Sequence, residues 1–132
     1  MGMCKKYIKD DLFYFVFRVF VGLLFAQHGA QKLFGMFEFS QVPLFGLMGL
    51  AGIIELFGGL AIAFGLFTRL AAFVAGIEMV TAYFMMHALA GPVPILNQGE
   101  LALLFFASFL VLMVYGAKKW SLERAIFKKE FF

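Results

Sequence analysis

Charge is scarce in this chain: Asp, Glu, Lys and Arg make up 14% of its 132 residues, against about 25% in soluble globular domains. So small a polar complement cannot cover a folded surface in water, which excludes a soluble globular domain. Cysteine is rarer still. Cys4 stands alone, so an internal disulfide and a CxxC redox pair within the chain are both excluded. Cys4 reads as an inert cysteine on the cytoplasmic side, with a free thiol or a lipidation site as the alternatives. The chain also lacks a CxxCH haem attachment, a flavin glycine fingerprint and a cysteine set for an iron–sulfur cluster. Any electron carrier must come from outside it. No basic groove on a soluble domain exists, so nucleic acid is excluded as a partner.

What the chain has instead is hydrocarbon. Its residues are 64% hydrophobic, twenty of them Phe, and its mean hydropathy is +0.95. That composition predicts an integral membrane protein whose solvent is the lipid bilayer. Four apolar segments stand out, at about 12–34, 46–66, 70–90 and 99–116. Each approaches the ~20 residues that a ~30 Å hydrocarbon core requires. The expected fold is all-α, a single four-helix membrane bundle spanning residues 1–132. Gly91, Pro92, Pro94, Asn97 and Gly99 make the third link a clear break.

Four crossings bring both termini to one side. Lys5, Lys6 and Lys9 precede the first segment, Arg69 sits in the second link, and Lys118, Lys119, Arg124, Lys128 and Lys129 follow the last. The positive-inside rule then places both termini in the cytoplasm and the chain in the cell membrane as a multi-pass protein. Arg18 interrupts the first segment and no A-x-A-like site follows before Lys32, so that segment reads as a retained helix rather than a signal peptide. Ser121 is placed to cap a short helix with Glu123 in its first turn. Trp120, Phe127 and Phe131 then fall on one side and Arg124 and Lys128 on another. The tail 117–132 is expected to lie on the inner leaflet as an amphipathic interfacial helix.

Against this background the ionisable residues inside the segments carry the most information. Arg18, His28, Lys32, Glu55, Glu78, His87 and Glu100 all lie within or at the ends of apolar runs. A helix-centre charge costs about 2.5 to 3.5 kcal/mol on insertion scales, so such residues are expected to face one another or a polar cavity. At about 100° per residue Arg18, His28 and Lys32 fall within an arc of roughly 80°. Gly52, Glu55 and Gly59 share a face, as do Ala71, Ala75, Glu78 and Ala82; Glu100 shares one with Ala107 and Val111. Counting depth at ~1.5 Å per residue from the cytoplasmic ends puts Arg18 at about 9 Å, Glu78 at about 12 Å and Glu55 at about 16 Å. These three are expected to meet, with Glu55 and Glu78 handling protons. His28, Lys32, His87 and Glu100 are expected to form a second tier toward the outer face. Two positive residues face three carboxylates, which leaves one acid without a cation and available as a proton donor or relay. His28, His87 and Glu100 have no metal-ligand spacing, and no metal site is expected.

The ordered series Arg18…Gly22…His28-Gly29…Lys32, Gly52-x-x-Glu55-x-x-Gly58-Gly59, Gly65-x-x-Thr68-Arg69, Gly99-Glu100 and Trp120-Ser121 resembles the DoxX family, the DoxX/DoxD-like small integral membrane proteins. The resemblance implies a small four-helix membrane protein with a redox-linked role. Related proteins serve in a thiosulfate:quinone oxidoreductase and in membrane assemblies that handle oxidative or thiol stress. It therefore implies a quinone or other small ligand, and a membrane or soluble oxidoreductase as partner. On this reading Arg18, His28, Lys32, Glu55, Glu78 and Glu100 are the ligand-binding residues, and Glu55 and Glu78 the proton-handling ones. Two other classes fit the same residues. One is a small-solute or proton transporter; the other is an assembly subunit, expected to be homo-oligomeric, whose charges only lock helices.

Overall fold

A computed structural model describes residues 2–131, with side chains from Ile8 onward. The side chains of Cys4, Lys5 and Lys6, which bear on lipidation and orientation, lie outside the described residues. Among the described residues there is helix and turn but no strand. Helix α1 is Gly2–Phe34, α2 is Leu47–Phe64 and α3 is Thr68–Ala82, the last prolonged by a π-helical turn, Tyr83–His87, and a 3-10 turn, Ala88–Ala90. Helix α4 is the single turn Pro94–Asn97, α5 is Glu100–Tyr115 and α6 is Leu122–Phe127. Ile8–Phe34, Leu47–Phe64 and Thr68–Ala90 are long and apolar enough to cross a membrane. The fourth apolar helix, α5, is a little shorter at 16 residues.

Helices α1 and α2 run antiparallel and touch through their backbones. A Cβ built on Gly22 would lie 2.6 Å from the Gly59 carbonyl oxygen and 2.5 Å from the Ala63 nitrogen. One on Gly29 would lie 2.6 Å from the Gly52 oxygen, and one on Gly59 would lie 2.5 Å from the Gly22 oxygen. Only glycine fits at these crossings. Lipid tails are as apolar as leucine, so burial drives no helix association in a bilayer; close van der Waals contact between small residues does. The spacing also sets register. Gly22 sits level with the turn Gly59–Ala63, and Gly29 with Gly52–Leu56, which puts Glu55 level with His28 and Arg18 level with Gly65.

The second pair is α3 with α5, where Ala72, Ala75 and Met79 pack on Phe105, Phe109 and Leu112. Phe25 of α1 joins the two pairs through its ring, 5.3 Å from Phe105 and 4.8 Å from Phe109 between centroids. Large apolar side chains elsewhere point outward, as lipid requires: Phe13, Phe57, Phe73 and Leu104 are more than half exposed.

The tail folds across the end of the bundle that holds the N-terminal half of α1. Helix α2 stops in a Schellman turn, with Gly65 at φ 73° and bonds from Gly65 N–H to Ile62 and from Leu66 N–H to Ala61. The freed Gly65 carbonyl accepts from the Glu123 backbone N–H. Arg18, only 1% exposed, donates through Nη2 to the Trp120 carbonyl at 2.5 Å. Tyr14 donates to the Gly116 carbonyl at 2.6 Å, and Lys119 pairs with Asp11 at 3.2 Å. Ser121 caps α6 by accepting from the Arg124 N–H, with Glu123 in the first turn. The helix is shorter than the sequence suggests. Lys128 turns left-handed at φ 58°, so Phe131 leaves the helix and its N–H returns to the Glu123 carboxylate at 3.0 Å.

Two outcomes follow from this packing. Gly22→Val or Gly29→Val drives a side chain into α2 backbone and should destabilise the bundle by about 1–3 kcal/mol or more. Gly46→Ala, where an added Cβ meets nothing within 4 Å, should leave the thermal midpoint in mild detergent unchanged. Ending the chain after Gly116 removes the carbonyl that Arg18 holds and should lower that midpoint sharply, since a stranded buried charge costs about 3–5 kcal/mol. Arg18→Met in the shortened chain should restore much of the loss.

Candidate functional site

The register of α1 against α2 decides which charges meet. Lys32 and Glu55 face each other across the crossing, with Nζ 2.5 Å from Oε1. Glu55 is 3% exposed, and its second oxygen, Oε2, has no hydrogen-bond partner. Glu78 of α3 lines the same hollow as Lys32 and Glu55. Its own Oε2 is likewise buried without a partner. Three helices thus supply one cation and two acids to a single point.

These groups line a hollow of about 470 Å³. Phe25 and Phe105 form an aromatic wall on which the His28 ring stands edge-on, 5.9 Å from Phe105 between centroids. The opposite rim comes from the π-helical turn and α4: His87, Asn97 and Gln98 line the hollow as well. Asn97 holds this rim together. It is 5% exposed and donates to the Gly91 carbonyl and the Tyr83 hydroxyl, while its side-chain oxygen accepts from the Gly99 N–H. Its backbone carbonyl lies 3.0 Å from His87 Nδ1. Sequence reasoning placed Asn97 only in a turn; the signal for more was its position between two prolines and a glycine, where a buried amide can satisfy several loop groups at once.

The expected two tiers are not what the fold builds. His28 and Lys32 belong with Glu55 and Glu78, in one cluster. Arg18 stands apart from them, about 15 Å along α1 from the level of Glu55, at ~1.5 Å for each of ten residues. The depth count took the start of the apolar run as the cytoplasmic level. Helix α1 instead begins at Gly2, and the glycine crossings, not the segment ends, fix how far α2 slides along it. Glu100 is a second correction. It is exposed in the first turn of α5 and does not line the hollow. The inward face of α5 is Ala102, Phe105, Phe109 and Leu112, so Ala107 and Val111, which share the Glu100 face, look outward. His87 does reach the hollow, though Glu100 does not join it. Among the described residues no group of His, Cys, Asp and Glu is arranged to hold a metal ion.

The motif residues therefore divide between two places. Gly22, Gly29, Gly52 and Gly59 make the crossing that supports the Lys32–Glu55 pair. Arg18, Gly65, Trp120 and Ser121 come together at the tail, where a Cβ on Gly65 would strike the Arg18 guanidinium and Ser121.

Comparison with known proteins identifies the family. The DoxX family profile matches residues 13–88, a stretch that holds Arg18, His28, Lys32, Glu55, Glu78 and His87 and ends before Glu100 and Trp120. An uncharacterized protein of Haemophilus influenzae is 40% identical over 121 residues, covering 85% of this chain and 89% of the relative. The inner membrane protein YqjF of Escherichia coli is 31% identical over 133 residues, covering 91% of this chain and 96% of the relative. A Bacillus subtilis protein named "Putative oxidoreductase CatD" is 28% identical over 118 residues, with 84% of each chain covered. No solved structure matches. By the family match over more than half its length, and by relatives aligned along most of theirs, the chain belongs to the DoxX family of membrane proteins.

Proposed function

We propose that this chain is a redox-associated protein of the cytoplasmic membrane whose polar hollow binds the head of a quinone-like ligand. The observation that carries this reading is the meeting of Lys32, Glu55 and Glu78, from three different helices, at one hollow with two carboxylate oxygens left unpartnered. Unpartnered polar groups in a dry interior are expensive unless a ligand or proton satisfies them. A hollow of about 470 Å³ lies within the range of small-molecule sites, and so does its lining, mostly apolar with a few convergent polar groups.

The chemistry of the lining suits a flat ring with carbonyl oxygens. Phe25 and Phe105 give the hollow an apolar aromatic wall for the ring to rest against. Lys32, or a protonated carboxyl of Glu55 or Glu78, offers a donor to the oxygen. One lysine beside two carboxylates is electrically neutral when the acids hold one proton between them, and that proton is the one to be exchanged with a ligand. The chain has no electron carrier of its own, so electrons would come from a partner oxidoreductase; the name of the Bacillus subtilis relative points the same way. Arg18, bound to the tail, has no part in the hollow.

Orientation belongs to the same proposal. Arg69 and the basic tail lie at one end of the bundle together with Lys9, and the links 35–46 and 91–99 at the other end contain no Lys or Arg. The positive-inside rule assigns the tail end to the cytoplasm, with Trp120, Phe127 and the basic residues of the tail resting at the inner leaflet.

Two measurements test these statements. A decyl-substituted benzoquinone should raise the thermal midpoint of the purified protein. Lys32→Met should weaken that binding about tenfold or more, the loss of a charge-assisted hydrogen bond. Lys32→Met also strands Glu55 and should destabilise the protein, and Glu55→Gln added to it should restore stability without restoring binding. No quinone-dependent shift in the unaltered protein would remove the reading. For orientation, in a variant with Cys4 replaced, Phe45→Cys should react with a membrane-impermeant thiol reagent in intact cells. Lys118→Cys should react only after the membrane is opened. The reverse order would invert the topology.

A further inference from the structure

We propose that the ligand of the polar hollow is a single-tailed amphiphile admitted sideways from the bilayer between α2 and α3. The proposal rests on the head-group reading above and adds the ligand's chain and its route.

A groove of about 410 Å³ runs on the outer face of the α2–α3 seam, walled by Leu50, Ile54, Val74 and Ile77. It adjoins the hollow. Met48, Ala51, Glu78, Ala82 and Met86 line both. Glu78 lines both, so a head group bound to it sits beside the groove, where an attached chain can lie once the side chains between the two part.

Helices α1 and α2 are locked by glycine crossings, and α3 packs closely on α5. Contact between α2 and α3 is sparser than in either pair, and that between α1 and α5 sparser still. Of these two looser seams, the α2–α3 one carries the groove that reaches Glu78. The seam is bordered by the small residues Ala51 and Ala82 and by Met48 and Met86, both exposed. Methionine is the most adaptable apolar side chain, suited to part for a chain and close behind it. The π-helical turn begins one residue beyond Ala82; such turns recur at functional sites, and this one brings both Met86 and His87 to the hollow.

Size favours one chain over two. A methylene takes up about as much room as a liquid water, roughly 30 Å³, so the groove holds on the order of a dozen chain atoms. A two-chain phospholipid would overfill it. The polar hollow beyond Glu78 also suits an uncharged head better than a phosphate, since two carboxylates face it against one lysine.

The test uses the full chain in phosphatidylcholine nanodiscs and a benzoquinone whose decyl tail ends in a diazirine. The expected photolabel falls on residues 47–54 and 74–86 and is lost in Thr81→Trp. That variant fills the groove from an exposed position whose hydroxyl bonds only to the Ile77 carbonyl. Leu50→Trp repeats the block from the α2 side. The same ring without its tail should still raise the thermal midpoint of both variants. Label spread evenly over outward residues such as Phe13, Phe57 and Leu104, or label retained in both variants, overturns lateral admission. So does a groove that stays unlabelled because a second copy of the chain covers it, seen as a cross-linked dimer. The tailless ring separates the two proposals. If it shifts the midpoint while the groove stays unlabelled, only the lateral route is wrong; if the groove labels and the ring shifts nothing, only the head-group identity is.

Discussion

Everything in this bundle depends on how closely α1 and α2 approach. Three glycines, Gly22, Gly29 and Gly59, let two backbones touch where any side chain would hold them apart, and their positions fix the slide of one helix along the other. Lys32 meets Glu55 because Gly29 lies on Gly52. Arg18 lies beside Gly65 because Gly22 lies on Gly59 and Ala63. In water a hydrophobic face would tolerate some slippage; in lipid, where apolar burial gives no gradient, the backbone contact is the force that sets register.

That register sorts the buried charges into two sites with different characters. At the tail end, Arg18 is held by the Trp120 carbonyl, and the same strap is tied down by Tyr14 on Gly116 and by the Phe131 N–H on Glu123. Its role is to join the last residues of the chain to the first helix. At the other end one cation faces two acids, and one oxygen of each acid is buried without a hydrogen-bond partner. Buried polar atoms without partners occur at both places, Arg18 Nε and Nη1 and Glu123 Oε2 at the tail and one oxygen each of Glu55 and Glu78 at the other. What separates the two is charge, since the tail's cation is held by a backbone carbonyl while two acids share one lysine at the other end.

Much of this could be read from the residues. The helical class followed from composition, and the DoxX family from an ordered set of glycines and charges. The inward pointing of His28, Lys32, Glu55 and Glu78 followed from period alone, because hydrocarbon leaves a charge few other directions. What period cannot supply is depth. Where an apolar run starts is not where a helix starts, and α1 continues through Lys9 and Asp10 without a break. Arg18 was misplaced for that reason. Glu100 was misplaced for another: it sits at a helix end, where position near the membrane surface relaxes the demand to face inward. Asn97 was overlooked because loop residues are read for their turns and not for the groups they can satisfy.

The Lys32–Glu55 pair also has a bearing on biogenesis. Both partners belong to the first hairpin, joined by the link 35–46, so their charges cancel within the unit that leaves the translocon first. Glu78 has no such companion: the second hairpin carries Arg69 at its far end and no lysine until Lys118. The second hairpin therefore brings to the hollow an acid whose nearest cation is supplied by the first.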